Sequence, residues 1–397
     1  MNTTLKKTLI IIIVVLIVAL IGLLVYNFLL KPKTISTNNN SNQNKELPGG
    51  GTVGNNAGVE ETNNNNNETI YQQKSRIKAI STEPVLSPTI SSDKSNIIYF
   101  LNSAGNIFES DFTGSTATAI SKTVLENLKN IIWAPNKNKA IMVFQDNMEN
   151  VSKYLYNLSD EKSLPLGKYL NYISWSADSN KIAYQYQNET TGANDISIAS
   201  PDGSKFSVVL STRMKNLIVE WPSINIYLRE RPSGLAQSNL YSLSPTSKAL
   251  NKTIANVYGF SVKWSQKGDK LLYSSTSPKG ENIGIFIADN NGGNKKAIGV
   301  STLAEKCVWS QDVRYIFCAI PKNIAEAKVL PDDFYKEKFI GDDEFYKIDV
   351  GTGEKINILG DENLIVSYDA KELFLSPQED YLFFVNKRDG RLYSIEL

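Results

Sequence analysis

Five carboxylates crowd one short stretch of this chain: Asp332, Asp333, Asp342, Asp343 and Glu344. Two carboxyls at a set separation are enough for glycoside hydrolysis, and oxygen ligands from loops suit Ca²⁺. The run lacks calcium-loop spacing, and acidic runs are ordinarily solvated surface, so no catalytic residue, metal or cofactor is expected. Other chemistry is excluded by composition. The chain contains no histidine, which removes Ser-His-Asp and Cys-His arrangements and every His-ligated zinc site. Two cysteines, Cys307 and Cys318, are too few for a thiolate metal centre. Lys plus Arg total 42 against 41 Asp plus Glu, so no global field draws nucleic acid. Gly-rich phosphate loops and basic-aromatic patches are absent as well.

The tryptophans show which elements must position the acidic stretch. Trp133, Trp175, Trp221, Trp264 and Trp309 are separated by 42, 46, 43 and 45 residues. A period in the low forties filled with short strand-like runs is the mark of a β-propeller blade. With Trp175, Trp264 or Trp309 as position zero, Ser follows, with Asp three positions on in the first and last, then apolar residues at plus seven and plus nine: Ile182 and Tyr184, Leu271 and Tyr273, Ile316 and Cys318; Trp133 heads a looser copy. Ile90 and Leu375 head two further copies without tryptophan, while the copy at Trp221 has lost two or three turn residues. Zero and plus seven share a face only if the chain reverses between them, and Ser and Asp suit such a turn because their side chains bond its backbone. A third strand and often a fourth follow in each copy, giving seven four-stranded blades. The tryptophans are expected in the core between blades.

Ring closure follows from the ends of the repeat. Leu397 falls in the third strand of the last copy, and residues 76–81 (RIKAIS) resemble a fourth strand. The expected fold is therefore an all-β, seven-bladed propeller over 76–397, with an N-terminal strand completing the last blade.

The strings WSADSNKIAY at 175–184, WSQKGDKLLY at 264–273 and WSQDVRYIFC at 309–318 resemble the WD40-like (PD40) repeat of TolB-type propellers, often written W-S-P-D-G-x-x-I-x-F. The resemblance implies the propeller fold and a periplasmic or extracytoplasmic binding role. Such propellers also accompany serine peptidases, but this chain has no histidine to complete a triad.

Before the repeats, Thr8 to Leu30 is an uncharged apolar run of 23 residues, long enough at ~1.5 Å per residue to cross a ~30 Å hydrocarbon core. It is expected to be an uncleaved transmembrane helix after a short cytoplasmic segment, 1–7, making a single-pass cell-membrane protein with its propeller outside the cytoplasm. Residues 31–75, with NNNSNQN, PGGG and NNNNN, read as a disordered linker reaching roughly 35–40 Å as a flexible coil.

Cys307 and Cys318 occupy minus two and plus nine of the sixth copy, positions that the pairing sets directly opposite. A disulfide and a pair of small buried thiols are both compatible with that placement. The sixth copy also carries a long loop between its second and third strands, 321–344, and loops beyond ~12–15 residues are usually functional or disordered. Val329, Leu330, Phe334, Tyr335, Phe339 and Ile340 are spaced for a short helix starting near Asp332. Either these residues pack the insertion onto the ring and plug its channel, or some stay exposed as a partner anchor. Candidate binding residues are Leu330, Asp332, Asp333, Phe334, Tyr335, Phe339, Asp342 and Asp343. The expected function is a non-enzymatic protein-binding or scaffolding module of the cell envelope, meeting another envelope protein. The alternative is a carbohydrate-binding or carbohydrate-active propeller using the same face.

Overall fold

Antiparallel pairing of short alternating runs organises the whole of the repeat region into blades. The computed structural model describes residues 76–121, 123–360 and 366–397, which lie in one compact unit, Tyr71–Leu397. The span expected at 8–30 and the linker at 31–75 lie outside the described residues, and no helix among the described residues is long and apolar enough to cross a membrane. The described residues form seven four-stranded sheets. Their inner strands, in order of blades 1 to 7, are Val85–Ile90, Leu128–Trp133, Leu170–Trp175, Ile218–Glu220, Val262–Trp264, Cys307–Trp309 and Ala370–Leu375.

The register follows the tryptophan frame. Trp175 pairs with Ile182, Trp264 with Leu271, Trp309 with Ile316, Ile90 with Ile97 and Leu375 with Leu382. Blade 4 departs from it, because Glu220 pairs with Tyr227 and the hairpin is two residues shorter. The serine after the head caps the turn. Ser176 Oγ accepts the Lys181 N–H at 2.9 Å and donates to Asp178 at 2.6 Å. Ser310 makes the same pair of bonds with Tyr315 and Asp312. Hydrogen bonds from Ser176 and Ser310 hold the Asp178 and Asp312 carboxyls below the usual carboxylate range.

No single core fills the ring. Seven apolar clusters lie between successive blades, and each of the five tryptophans belongs to one of them or packs against it. The indoles also bolt neighbouring blades together. Trp133, Trp175 and Trp309 donate their Nε1–H to the inner-strand carbonyls of Ser87, Ile132 and Lys263 in the preceding blade, at 2.8, 2.9 and 3.2 Å. Trp264 follows the shortened blade 4, and its Nε1–H is buried without an acceptor while its ring packs 4.3 Å from that of Tyr227. Trp175→Phe should therefore cost about 1 kcal/mol more than Trp264→Phe, since only the first removes the donor from a part-buried carbonyl. Equal losses in chemical denaturation would contradict the bolt.

Ring closure is as expected. Ile77–Ala79 pairs antiparallel with Leu392–Glu396, so the first strand is the outer strand of blade 7. In blade 6, Cys307 lies opposite Cys318 and the two are joined by a disulfide, with Cα atoms 4.1 Å apart.

Candidate functional site

The insertion leaves the second strand of blade 6, Tyr315–Pro321, and re-enters the third at Asp343–Asp349. Having no sheet partner, it must bury its own apolar residues against the ring. Leu330, Phe334 and Phe339 form a cluster with Ile283 and Leu303 of blade 5 and its connection. A helical turn does start at Asp332 (Asp332–Tyr335). The carboxylates serve attachment. Asp332 accepts the Gly234 N–H at 2.8 Å and the Ser233 hydroxyl at 3.1 Å, reaching blade 4. Asp333 accepts the N–H groups of Lys328 and Val329 at 3.0 and 2.9 Å. Asp342 pairs with Lys322 at 3.0 Å. The Leu330 N–H donates to Gly280 O at 2.9 Å, and Lys387 and Arg388 of blade 7 donate to the carbonyls of Phe334 and Gly341.

The deepest attachment is ionic. Lys306, wholly buried, sits 2.6 Å from both Asp343 Oδ2 and Asp369 Oδ1, and it also donates to Ala370 O. Burial pushes the Asp343 carboxyl up against the pull of Lys306. Lys387 lies 3.8 Å from Asp369 Oδ2 and 3.9 Å from the Phe334 ring centroid.

Leu330, Phe334 and Phe339 are only 3%, 7% and 4% exposed and pack inward, whereas Ile340 at 50% stays at the surface. Asp332, Asp333, Asp342 and Asp343 hold the insertion in place. Tyr335 alone of the eight candidates is exposed, at 43%; its hydroxyl donates to Glu305 at 2.5 Å. Burial pushes both groups up, Tyr335 with help from Glu305, and Glu305 against the Tyr335 hydrogen bond.

The opposite end of the channel was overlooked in the sequence, although its signal is present there. Strand alternation turns the residue before each head toward the axis. Those residues are Thr89, Ile132, Ser174, Glu220, Lys263, Val308 and Phe374, and all line cavities beside the turns that follow the inner strands. The larger cavity, about 750 Å³, is lined by blades 1, 2, 5, 6 and 7; the smaller, about 330 Å³, shares Pro135, Trp264 and Gln266 with it. Glu220 is clamped by Arg229, with Nε–Oε2 3.0 Å and Nη2–Oε1 3.3 Å. Among the described residues, Lys137 and Lys263 have no such partner. Burial pushes Lys137 down to about 8, and neighbouring Lys263 adds to that.

No family model matches the chain, and no curated protein matches it either. Solved structures do resemble it. An oligogalacturonate lyase in complex with manganese aligns over 81% of this chain and 93% of its own at 12% identity, with a TM-score of 0.57. An oligogalacturonate lyase from Vibrio parahaemolyticus aligns over the same shares at 9% identity and a TM-score of 0.56. A protein described as TolB from Agrobacterium tumefaciens aligns over 56% of this chain and 86% of its own at 16% identity, with a TM-score of 0.40. At such identities the likeness shows the propeller fold and nothing of activity.

Proposed function

We propose that this chain is a membrane-tethered propeller outside the cytoplasm that binds a protein partner of the cell envelope through the insertion face, without catalysing a reaction. One observation carries the reading. The insertion is fastened to blades 4, 5 and 7 by its carboxylates, main chain and buried aromatics, which makes that face a fixed platform whose acidic groups are already engaged. Loops held on a rigid scaffold are where binding is usually placed. Ile340 at 50% and Leu235 at 62% exposure are apolar points on the two sides of this platform.

The carbohydrate-active alternative draws on the fold shared with two lyases. Among the described residues no group of three or more His, Cys, Asp or Glu side chains is placed to hold a metal ion.

The test uses the full chain in detergent. Wild type and a Leu235→Lys, Ile340→Lys variant are compared for the envelope proteins each retains, with binding to any enriched protein then titrated in purified form. Loss of the same protein from the variant, with affinity lowered about tenfold or more, is the expected result. Identical retention and affinity would remove the insertion face as the docking site.

A further inference from the structure

We propose that the channel mouth opposite the insertion is a binding site for a small carboxylate carried on a ring, with the carboxylate held by Lys137 and Lys263. This goes beyond the partner-docking reading and uses the other end of the molecule.

Three observations converge. The cavity of about 750 Å³ falls in the ~300–1,000 Å³ range of small-molecule sites, which combine apolar walls with a few placed polar groups. Its apolar wall comes from Trp264, Trp309, Val308 and Phe374, side chains against which a sugar or aromatic ring packs. Its charge is of one sign where it matters. Lys137 and Lys263 both line the cavity, close enough for Lys263 to depress Lys137. Neither ammonium has a hydrogen bond or an ion pair among the described residues.

Nearby carboxylates do not neutralise the pair. Asp93 lines the same cavity but is oriented by the Ser91 and Ser95 hydroxyls and the Ser95 N–H and forms no ion pair with either lysine among the described residues. Glu305 and Glu372 act on Lys263 only at a distance, and Glu305 is engaged by Tyr335. Burial disfavours the charged form of both lysines, and an anion entering beside the apolar walls offsets that cost, so the pair is complementary to an anion. A carboxylate fits better than a bare inorganic anion, because the volume beyond the ammonium groups is apolar and needs a ring to fill it.

Trp264 and Trp309 line this cavity, Trp133, Trp175 and Trp221 line the one beside it, and the chain has no other tryptophan, so intrinsic fluorescence reports occupancy. The probes are digalacturonate and phenylacetate, each beside its uncharged counterpart, digalactose and phenylacetamide, with inorganic phosphate as the bare anion. Full-length protein in detergent is titrated with each. The expected result is a saturable fluorescence change with one of the two carboxylates, weakened about tenfold or more in its uncharged counterpart and in Lys263→Gln, and retained in Lys137→Arg. Which carboxylate saturates identifies the ring as sugar or aromatic. No saturable change with either, equal binding of the uncharged forms, unchanged affinity in both Lys263→Gln and Lys137→Gln, or phosphate binding as tightly as the better carboxylate would each overturn the proposal. Because the comparison of charged with uncharged probes uses wild-type protein, it stands even if a lysine variant folds poorly.

Discussion

Lys306→Met is expected to lower the stability of the propeller by about 3–5 kcal/mol at pH 7, the range for breaking a buried ion pair from one side. The ammonium is wholly buried between Asp343 and Asp369, 2.6 Å from each, and both carboxylates are equally inaccessible. Asp343 Oδ1 and Asp369 Oδ2 have no hydrogen bond among the described residues, so removing Lys306 leaves Asp343 with the Ala370 N–H and Asp369 with the more distant Lys387 as their remaining compensation. The sign of the pH dependence separates this cause from lost packing. Burial already raises the Asp343 carboxyl above its ordinary value, and loss of Lys306 raises it further. A folded-state pKa above the unfolded one, ~3.9 for Asp, means that the folded state binds more protons in between, so stability increases as pH falls through that window. The deficit of the variant should therefore narrow between pH 7 and about pH 5, and adding Asp343→Asn should recover part of it at pH 7. A deficit of equal size at both pH values would point to packing alone. Phe334 rests near this network, 5.5 Å from Lys306, so proteolysis within 322–340 should also be faster in the variant.

Much of this architecture was legible because its determinants are local. Pairing of Trp175 with Ile182, or Cys307 with Cys318, follows from alternation and a short turn, both contained within about a dozen residues. The closing strand was legible because 76–81 copies the chemistry of a fourth strand. The insertion was legible only in part. Its spacing placed a helical turn at Asp332, but the choice between an inward and an outward aromatic face depended on distant residues. Asp343 meets Lys306 across 37 positions and Asp369 meets it across 63, while Phe334 packs on Ile283 and Leu303. No local pattern encodes those meetings. The channel mouth is a different case. Lys263 and Glu220 stand one residue before their tryptophans, where alternation turns them to the axis, so their placement could be read from the repeat. Lys137, which follows the head of blade 2 by four positions, could not.

Replacing Ile77 and Ile80 together by alanine is expected to open the ring, with a loss of about 4–10 kcal/mol from two buried isoleucines. That is comparable with the ~5–15 kcal/mol stability of a whole domain. The two side chains act at different interfaces. Ile77 lies in the cluster joining blades 6 and 7, with Phe317, Phe345 and Phe384, whereas Ile80 lies in the cluster joining blades 7 and 1, with Val85, Ile97 and Phe383. The single variants should therefore add within a few tenths of a kcal/mol, as separate sites do. The backbone carries the same link: Ile77 pairs with Ile395, and the Ile80 N–H donates to Leu392 O at 2.8 Å. Freed of this partner, the amides of Leu392–Glu396 should exchange with solvent far faster than those of the blade 3 strands, which keep all their neighbours. An unfolding midpoint and exchange pattern matching the wild type would show that the other interfaces hold the ring unaided.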